Sequence, residues 1–387
     1  MSAPVHAIAA PRIFDGERWH EGSALVVEGG RVAEIVRLAD LPAGLPLSNR
    51  ESGFLAPGFV DLQVNGGGGV MLNDRPDVAA IETIIAAHRR FGTTALLPTL
   101  ITDTSEVTKA AIAAGVEAAQ RGVPGFLGLH LEGPHLSVAR KGAHDPALIR
   151  PMEEEDLLLL CETAGALPVL YSTVAVESVT PEQIGRLRDA GVRVSLGHTD
   201  TGFAGASAAF AAGASLATHL FNAMSQLGNR EPGVVGAVLD AGPVHAGLIA
   251  DGIHVAPAAI RAALRAKQGP GRIFLVTDAM ATIGTDMQSF TLNGRTIHRA
   301  EGRLTLDDGT LAGADLDMAV AVRFTHRTVG VSLEEALRMA SLYPAEAVGV
   351  APEHGRLLPG SRADAVALDE ALEVETVWVG GVEAQRG

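Results

Sequence analysis

Short apolar runs alternate with Ala-rich stretches along most of the chain. From about residue 58 onward, runs rich in Val, Ile and Leu are separated by longer segments such as DVAAIETIIAAHRRFG and GFAGASAAFAAGA. Runs of the first kind are typical of buried strands, and segments of the second kind are typical of helices. The alternation therefore predicts repeated βα units around a parallel sheet.

Eight such apolar runs can be counted, and this number favours a (β/α)8 TIM barrel. A barrel of this kind usually has about 250 residues, in agreement with the span of residues 58–344. A doubly wound open sheet is the alternative, but the VNGGGGV string lacks the spacing of a dinucleotide-binding loop and the lysine of a P-loop. The predicted strands are FVDLQV ending at Val64, TALLPTL from Thr94, GFLGLHL from Gly125, PVLYSTVA from Pro168, VRVSLG from Val192, SLATHL from Ser215, HAGLIA from His245 and RIFLVT from Arg272.

The two ends of the chain have a different pattern. Residues 1–57 and 345–387 contain short strand-like pieces broken by Gly and Pro, including ALVVEGGRVAEIV and VETVWVGG. Neither end is long enough to bury a core alone. We therefore expect both ends to combine into one small β-sandwich module beside the barrel of residues 58–344.

The composition is that of a folded globular protein. Of the 387 residues, 47% are hydrophobic and 19% are charged, so the chain can bury a sizeable core. A net charge of −15 and 4% aromatic residues argue against nucleic acid or an anionic membrane as a partner. The single cysteine, Cys161, and an N-terminus without the pattern of a signal peptide lead us to expect a cytoplasmic protein.

Polar residues occur where the predicted strands end. A (β/α)8 barrel builds its active site at these carboxyl ends, so such residues meet at one face. A lone histidine there is more often structural, but carboxylate and imidazole groups together suit Zn²⁺ or Fe²⁺. Because a buried carboxylate needs compensation, we expect a divalent cation at Glu132, His198 and His219. The strand-end residues are Asp61, Gln63, Asn65, His130, Glu132, His198, His219 and Asp278.

Longer strings around these residues resemble a known family. They are HLEGPHLSVARKGAHDP from His130, SLGHTD from Ser195, THLFNAMSQLGNREPG from Thr218, IADGIHV from Ile249, LVTDAM from Leu275, and G-x-L-x-x-G-x-x-A-D-x-V from Gly355. In this order, and over essentially the whole chain, they resemble the N-acetylglucosamine-6-phosphate deacetylase family of the amidohydrolase superfamily. The resemblance implies hydrolysis of N-acetyl-D-glucosamine 6-phosphate to D-glucosamine 6-phosphate and acetate, in amino-sugar catabolism or cell-wall recycling.

The resemblance also implies a role for each matching residue of the reaction centre. Glu132, His198 and His219 match the metal ligands of the family. Asp278 matches its general acid/base, which takes a proton from the attacking water and returns it to the departing amine. His144 matches the residue that polarises the acetamide carbonyl and stabilises the oxyanion.

Other matching residues imply how the sugar phosphate is bound. Asn222 and Ala223 match contacts to the sugar phosphate. The AGADL string, Ala312 to Leu316, lies where relatives close the pocket with an apolar loop, so Ala312, Gly313 and Ala314 are expected beside the substrate. Arg230 and His254 match a phosphate clamp that such enzymes can share across a dimer interface, so a homodimer is expected. An arginine fork suits a phosphate dianion. The alternative for Arg230 is a surface ion pair with Glu231.

The end of the first barrel strand separates subgroups of the superfamily. Many amidohydrolases have His-x-His there to hold a second metal, whereas this chain has Gln63, Val64 and Asn65. An amide offers only a neutral carbonyl oxygen and is a poorer ligand than imidazole. We therefore predict one divalent metal ion per active site, Zn²⁺ or Fe²⁺, with Gln63 and Asn65 as hydrogen-bonding residues beside the substrate.

Two other functions stay open at this point. A related amidohydrolase that deacetylates N-acetylgalactosamine 6-phosphate, or another N-acyl sugar phosphate, would carry the same metal and phosphate motifs. A non-catalytic, barrel-shaped assembly protein would be expected to lose metal ligands or Asp278, and this chain has kept them.

Overall fold

The computed structural model describes residues 5–384, and the outer ends of the predicted module, residues 1–4 and 385–387, lie outside this range. Within it the strands form four sheets. In chain order the strands are β1 (Val5–Phe14), β2 (Trp19–Glu28), β3 (Arg31–Arg37), β4 (Leu47–Asn49), β5 (Phe54–Pro57), β6 (Phe59–Val64), β7 (Gly66–Gly67), β8 (Val70–Met71), β9 (Thr93–Ile101), β10 (Leu129–Glu132), β11 (Leu170–Val174), β12 (Arg193–Leu196), β13 (Leu216–Ala217), β14 (His245–Ile249), β15 (Ile273–Val276), β16 (Ser289–Leu292), β17 (Arg295–Ala300), β18 (Arg303–Thr305), β19 (Leu311–Ala314), β20 (Ala365–Leu368), β21 (Val374–Val379) and β22 (Val382–Glu383).

Helices follow most of the barrel strands. Many begin at a residue whose side chain caps the first turn; Thr180, for example, accepts a hydrogen bond from the Gln183 N–H and opens α4. Within residues 5–384, no helix is both long and apolar enough to cross a membrane. The α-helices are α1 (Val78–Arg89), α2 (Ser105–Arg121), α3 (Glu154–Ala164), α4 (Pro181–Asp189), α5 (Phe203–Ala212), α6 (Gly233–Asp240), α7 (Pro257–Ala266), α8 (Met318–Phe324), α9 (Leu333–Ala340) and α10 (Leu342–Val348).

The central sheet is a (β/α)8 barrel, as predicted. Its strands run in the order β15-β14-β13-β12-β11-β10-β9-β6, and every pair is parallel. A parallel bridge between Val64 and Ala279 joins the two ends of the sheet. Each predicted apolar run overlaps one of these strands. The runs are nearly continuous because such strands are buried on both faces.

The two chain ends meet in a second sheet beside the barrel. Its order is β22-β21-β20-β5-β1-β2-β3, with β4 paired to β1. The ends are joined by β20, which pairs antiparallel with β5 and places Val366 opposite Ala56. A separate apolar cluster around Leu25, Leu55 and Trp378 supports this sheet, which resembles a small sandwich. The exact division of the chain stays a prediction, and its boundary after residue 344 falls inside α10.

A third sheet was not predicted from the sequence. Strands β16 to β19 form a four-stranded antiparallel sheet with a small apolar cluster of its own, which includes Phe290, Leu292 and Ile297. The expectation of an apolar loop at residues 312–316 is therefore wrong for residues 312–314, because these belong to β19. The strand is tied to the barrel by the Ala314 N–H, which donates to the Asp278 carbonyl over 2.8 Å.

Candidate active site

The polar strand-end residues converge because alternate residues of a strand share one face. His130 and Glu132 are two positions apart on β10, so both point into the barrel, while Leu129 and Leu131 face the helices. Glu132 is the last residue of the strand and therefore reaches the open end. His130 lies deeper, where its ring nitrogens bond the hydroxyls of Thr99 and Thr173, so it is a structural residue.

Three side chains form a cluster that could hold a metal ion. Glu132 Oε1 lies 3.3 Å from His198 Nε2 and 3.1 Å from His219 Nε2. The two Nε2 atoms are 3.0 Å apart. All three residues are buried, and within residues 5–384 no other group of His, Cys, Asp and Glu side chains meets in this way. One carboxylate and two imidazoles are a suitable ligand set for a divalent cation.

The hydrogen bonds around the cluster also fit a cation. The Nδ1–H of His198 donates to the Arg140 carbonyl over 2.8 Å, so its Nε2 carries a lone pair toward the cluster. Burial opposes ionisation of Glu132, but the neighbouring imidazole groups of His198 and His219 outweigh it and hold the pKa of Glu132 well below the usual value. Burial disfavours charge on His219 as well, yet the bond to Glu132 raises its pKa. A negative centre therefore faces two nitrogen ligands.

Asp278 lies at the end of the eighth strand with one carboxylate oxygen fully engaged. Its Oδ1 accepts hydrogen bonds from Asn65 Nδ2 over 2.7 Å and from Gln63 Nε2 over 3.1 Å. Gln63 also donates to Glu132 Oε1 over 3.1 Å. Burial, and then the charge of Glu132, raise the pKa of Asp278 to about 6. A carboxylate with such a pKa can both accept and return a proton near neutral pH.

Several residues of the site have a left-handed backbone. The φ angles are +47° at His198, +30° at His219, +49° at Ala223 and +53° at Asp278. This region is unfavourable for residues with a side chain, and such strain is concentrated at functional sites. The sharp turns it produces directly after β12, β13 and β15 direct the side chains across the barrel mouth.

His144 reaches the cluster from the long loop after β10. Its ring centre is 4.4 Å from that of His198. The Thr102 backbone N–H donates to His144 Nδ1 over 3.3 Å, and the Thr102 hydroxyl lies 2.8 Å from the same atom. Because Nδ1 accepts, the ring proton is on Nε2. Burial, and then His198, keep the pKa of His144 well below its usual value, so the ring is a neutral donor.

A cavity of about 390 Å³ opens above these side chains. Asn222, Ala223 and His254 contribute to its wall, as the sequence predicts. His254 donates from Nδ1 to Asp251 Oδ2 over 2.6 Å, which leaves its Nε2 available. The described lining also includes Asn65, Ile101, Glu132, Ala139, Arg140, Gly142, Ala143, His144, His198, His219, Ile249, Asp278, Met280, Thr310, Leu311 and Gly313.

Some predicted residues do not line this cavity. Gln63 is buried behind Glu132 and Asp278, where it joins the two carboxylates. In β19 only Gly313 of the predicted triplet faces the cavity, because Ala312 and Ala314 alternate toward the buried side. Arg230 is exposed outside the cavity. The alternative ion pair with Glu231 is not formed, because that carboxylate accepts from the backbone N–H groups of Phe203 and Gly233.

The sequence reasoning missed Arg140 as a cavity residue. Its Nε donates to Asp200 Oδ1 over 2.7 Å, and its carbonyl accepts from His198. A 3₁₀ turn at Val138–Arg140 brings it to the mouth. The only sequence signal was its place within the string between Glu132 and His144.

The fold and the site together define a class of enzymes. A (β/α)8 barrel that brings a carboxylate, two imidazoles and a buried aspartate to the carboxyl ends of its strands belongs to the metal-dependent barrel hydrolases. The sequence model of the Amidohydrolase family matches residues 54–384. The chain therefore belongs to the amidohydrolase family, and membership implies a divalent metal ion.

Individual relatives are similar over nearly the whole chain. An N-acetylgalactosamine-6-phosphate deacetylase from Shewanella sp. (strain ANA-3) is 45% identical over 343 residues, covering 89% of this chain and 86% of that protein. An N-acetylglucosamine-6-phosphate deacetylase from Haemophilus influenzae is 36% identical over 361 residues, covering 92% and 93%. The crystal structure of N-acetylglucosamine-6-phosphate deacetylase from Pasteurella multocida has a TM-score of 0.95 at 36% identity, covering 99% of this chain and 100% of that one.

Proposed function

We propose that the chain hydrolyses the acetamide of N-acetyl-D-glucosamine 6-phosphate, giving D-glucosamine 6-phosphate and acetate. The observation that carries this proposal is the meeting of Glu132, His198 and His219 beside Asp278 in a chain similar from end to end to deacetylases of amino-sugar phosphates. A non-catalytic assembly role is not supported, because the catalytic set is present and buried in one cavity.

One divalent ion, Zn²⁺ or Fe²⁺, is assigned to Glu132, His198 and His219. Such an ion supplies Lewis acidity and makes a water molecule more acidic. The amide nitrogens of Gln63 and Asn65 point at carboxylate oxygens of the site. Their NH₂ groups, which carry partial positive charge, lie where the superfamily pattern would place a second cation. A second cation would be repelled there, so the two amides support a single ion.

Asp278 serves as general base and then as general acid. Its Oδ1 is held by two amide donors, which leaves Oδ2 for the reacting water. It takes the proton from that water as the carbon–oxygen bond forms. It then returns the proton to the sugar nitrogen as the carbon–nitrogen bond breaks, which gives the amine and acetic acid; the remaining acid proton passes to the amine or to solvent and leaves acetate. Throughout, the Nε2–H of His144 stabilises the negative charge on the former carbonyl oxygen.

The phosphate is assigned to the side of the cavity formed by Asn222, Ala223 and His254. Arg230 is assigned to the same group in a homodimer, because its exposed and unpaired side chain is available to a partner subunit. Within residues 5–384 no hydrogen bond or ion pair engages the Arg230 guanidinium.

The single cysteine supports a reducing compartment, the cytoplasm.

A second candidate substrate is the C4 epimer, N-acetylgalactosamine 6-phosphate. It is favoured by the 45% identity to the Shewanella enzyme, which is named for that substrate. The test is acetate release by the metal-replete protein from both epimers and from both unphosphorylated sugars. A higher kcat/KM for the gluco phosphate supports the first proposal, and a higher value for the galacto phosphate replaces it with the second. No release from any of the four sugars contradicts both.

A further inference from the structure

A second buried aspartate lies behind the cavity and has no role in the chemistry above. Asp61 is in the middle of β6, is fully buried and does not line the cavity. Its Oδ2 accepts from the Thr277 hydroxyl over 2.5 Å. Its Oδ1 accepts from the backbone N–H groups of Gln63 over 3.2 Å and of Thr277 over 3.3 Å. All of these donors belong to the ends of the first and eighth strands.

The hydrogen bonds of Asp61 involve the residues next to Asp278 in sequence. Thr277 precedes it, and the Thr277 hydroxyl also accepts from the N–H of Ala279, which follows it, over 3.3 Å. The Asp278 N–H donates to the Gln63 carbonyl over 3.0 Å. The Asp61 carboxylate thus holds Thr277 directly and Ala279 through the Thr277 hydroxyl, on the two sides of a backbone turn whose φ of +53° is unfavourable for aspartate.

An aspartate at this position is costly unless it has a specific task. Burial, together with the charge of Asp278 and against the hydrogen bonds from Thr277 and Gln63, raises the pKa of Asp61 to about 7. An apolar side chain in β6 would avoid this cost. It would also take this acceptor from two backbone N–H groups and leave the Thr277 hydroxyl only the Gln63 carbonyl, at 3.4 Å.

We propose that Asp61 is a positioning residue. It acts through Thr277 to hold the strained turn at Asp278, and so orients the Asp278 carboxylate between Asn65 and the reacting water. This inference rests on the proposed role of Asp278 as acid/base. Misplacing a catalytic group by about 1 Å can cost on the order of 100-fold in rate. The expected defect is therefore in kcat, since Asp61 touches neither the metal ligands nor the cavity.

The test compares variants that leave the size of the core nearly unchanged. Thr277→Val removes the hydroxyl, Thr277→Ser retains it, and Asp61→Asn keeps one acceptor oxygen for the backbone while placing an NH₂ group opposite Thr277. The matched control is Asp364→Asn, another buried aspartate with backbone and arginine donors, located in the β module. Each protein is assayed with the better of the two sugar phosphates, and its metal content and Tm are measured.

The expected result is a kcat about 100-fold lower in Thr277→Val, recovery to within about threefold in Thr277→Ser, and an intermediate loss in Asp61→Asn. Metal content and KM stay near the wild-type values, and Asp364→Asn keeps the wild-type kcat. A wild-type kcat in Thr277→Val, or an equal loss in the Asp364→Asn control, overturns the inference.

A structural measurement separates this inference from the proposed function. If the wild-type protein releases no acetate from any sugar phosphate, the proposed function fails. The positioning role can still be judged from crystals of Thr277→Val. A displaced Asp278 carboxylate, with its 2.7 Å contact to Asn65 broken, supports the role, and an unchanged contact refutes it.

Discussion

The side-chain amide of Asn65 donates to Asp278 Oδ1 over 2.7 Å, and this contact joins the first and eighth strands across the mouth of the barrel. At Asn65 this chain has an amide where the His-x-His pattern expected from the superfamily would place an imidazole. The amide is a hydrogen-bond donor to Asp278, the proposed acid/base, whereas an imidazole could be a metal ligand. It therefore links the number of metal ions to the orientation of Asp278.

We expect the purified protein to bind one divalent ion per chain. The N–H groups of Gln63 and Asn65 point at Glu132 and Asp278, so their positive ends occupy the space that a second cation needs. Elemental analysis together with native mass spectrometry measures the stoichiometry. Two tightly bound ions per chain in protein of full activity would refute the argument.

Replacing Asp278 with Asn should leave the metal site filled and remove nearly all turnover. The amide cannot accept the proton of the attacking water, and loss of a general base typically costs 10²- to 10⁴-fold. Because Asp278 is not among the three clustered residues that could hold the ion, metal content should stay at the wild-type level. An Asp278→Asn protein with metal bound and the wild-type kcat would exclude this residue from the mechanism.

The activity should fall as the pH is lowered through the pKa of Asp278. Burial and the charge of Glu132 raise that pKa to about 6, and only the ionised carboxylate can act as base. Activity is therefore retained above the pKa and lost below it. A bound cation favours ionisation, so the acid limb should lie at or below about 6. A profile of log kcat/KM against pH tests this, and activity that rises toward acid pH contradicts it.

The barrel could be predicted from the sequence because its strands are buried on both faces and therefore appear as continuous apolar runs. The site could be predicted in part for a related reason. Glu132, His198 and Asp278 are polar residues directly after such runs, and the carboxyl ends of parallel strands meet at one face.

The sheet β16 to β19 could not be predicted in the same way. It is half exposed, and its apolar residues alternate with charged ones such as Arg295 and Arg299, so no apolar run appears. Its contact with the site depends on tertiary structure, including the hydrogen bond from Arg295 to the Ala143 carbonyl. Likewise, Arg140 reaches the cavity through a turn that carries no distinct sequence signal.

Substitution of His144 should lower kcat in a graded way. The Thr102 N–H donates to Nδ1, so Nε2 keeps its proton and can donate to the oxyanion. Removing one such donor costs about 10²- to 10³-fold in kcat. We expect this loss in His144→Ala and a smaller one in His144→Gln, whose amide can place an N–H group near the same position. Steady-state kinetics at equal metal content test this order, and equal kcat values in the wild type and His144→Ala would contradict it.

The assignment of Arg230 to the phosphate of a neighbouring subunit can be tested by complementation. Arg230 is exposed and outside the cavity of its own chain, so we expect its phosphate contact to be made in a second copy. In such a dimer one active site combines Asp278 from one chain with Arg230 from the other. Arg230→Ala alone should raise KM for the phosphorylated sugar and leave the unphosphorylated sugar unaffected, because the arginine fork binds only the phosphate.

Mixing two variant proteins then shows whether Arg230 acts in the active site of a neighbouring subunit or in that of its own chain. When Arg230→Ala and Asp278→Asn chains are allowed to exchange, a shared site yields one intact pairing in each mixed dimer, and low-KM activity returns. If Arg230 acts within its own chain, every site in the mixture lacks one of the two groups and no activity is regained. A double variant carrying both substitutions, mixed with Asp278→Asn, is the control and should stay inactive in either case. Recovery in the first mixture alone therefore establishes both the dimer and the origin of the arginine, whereas no recovery from exchanged dimers refutes the shared site.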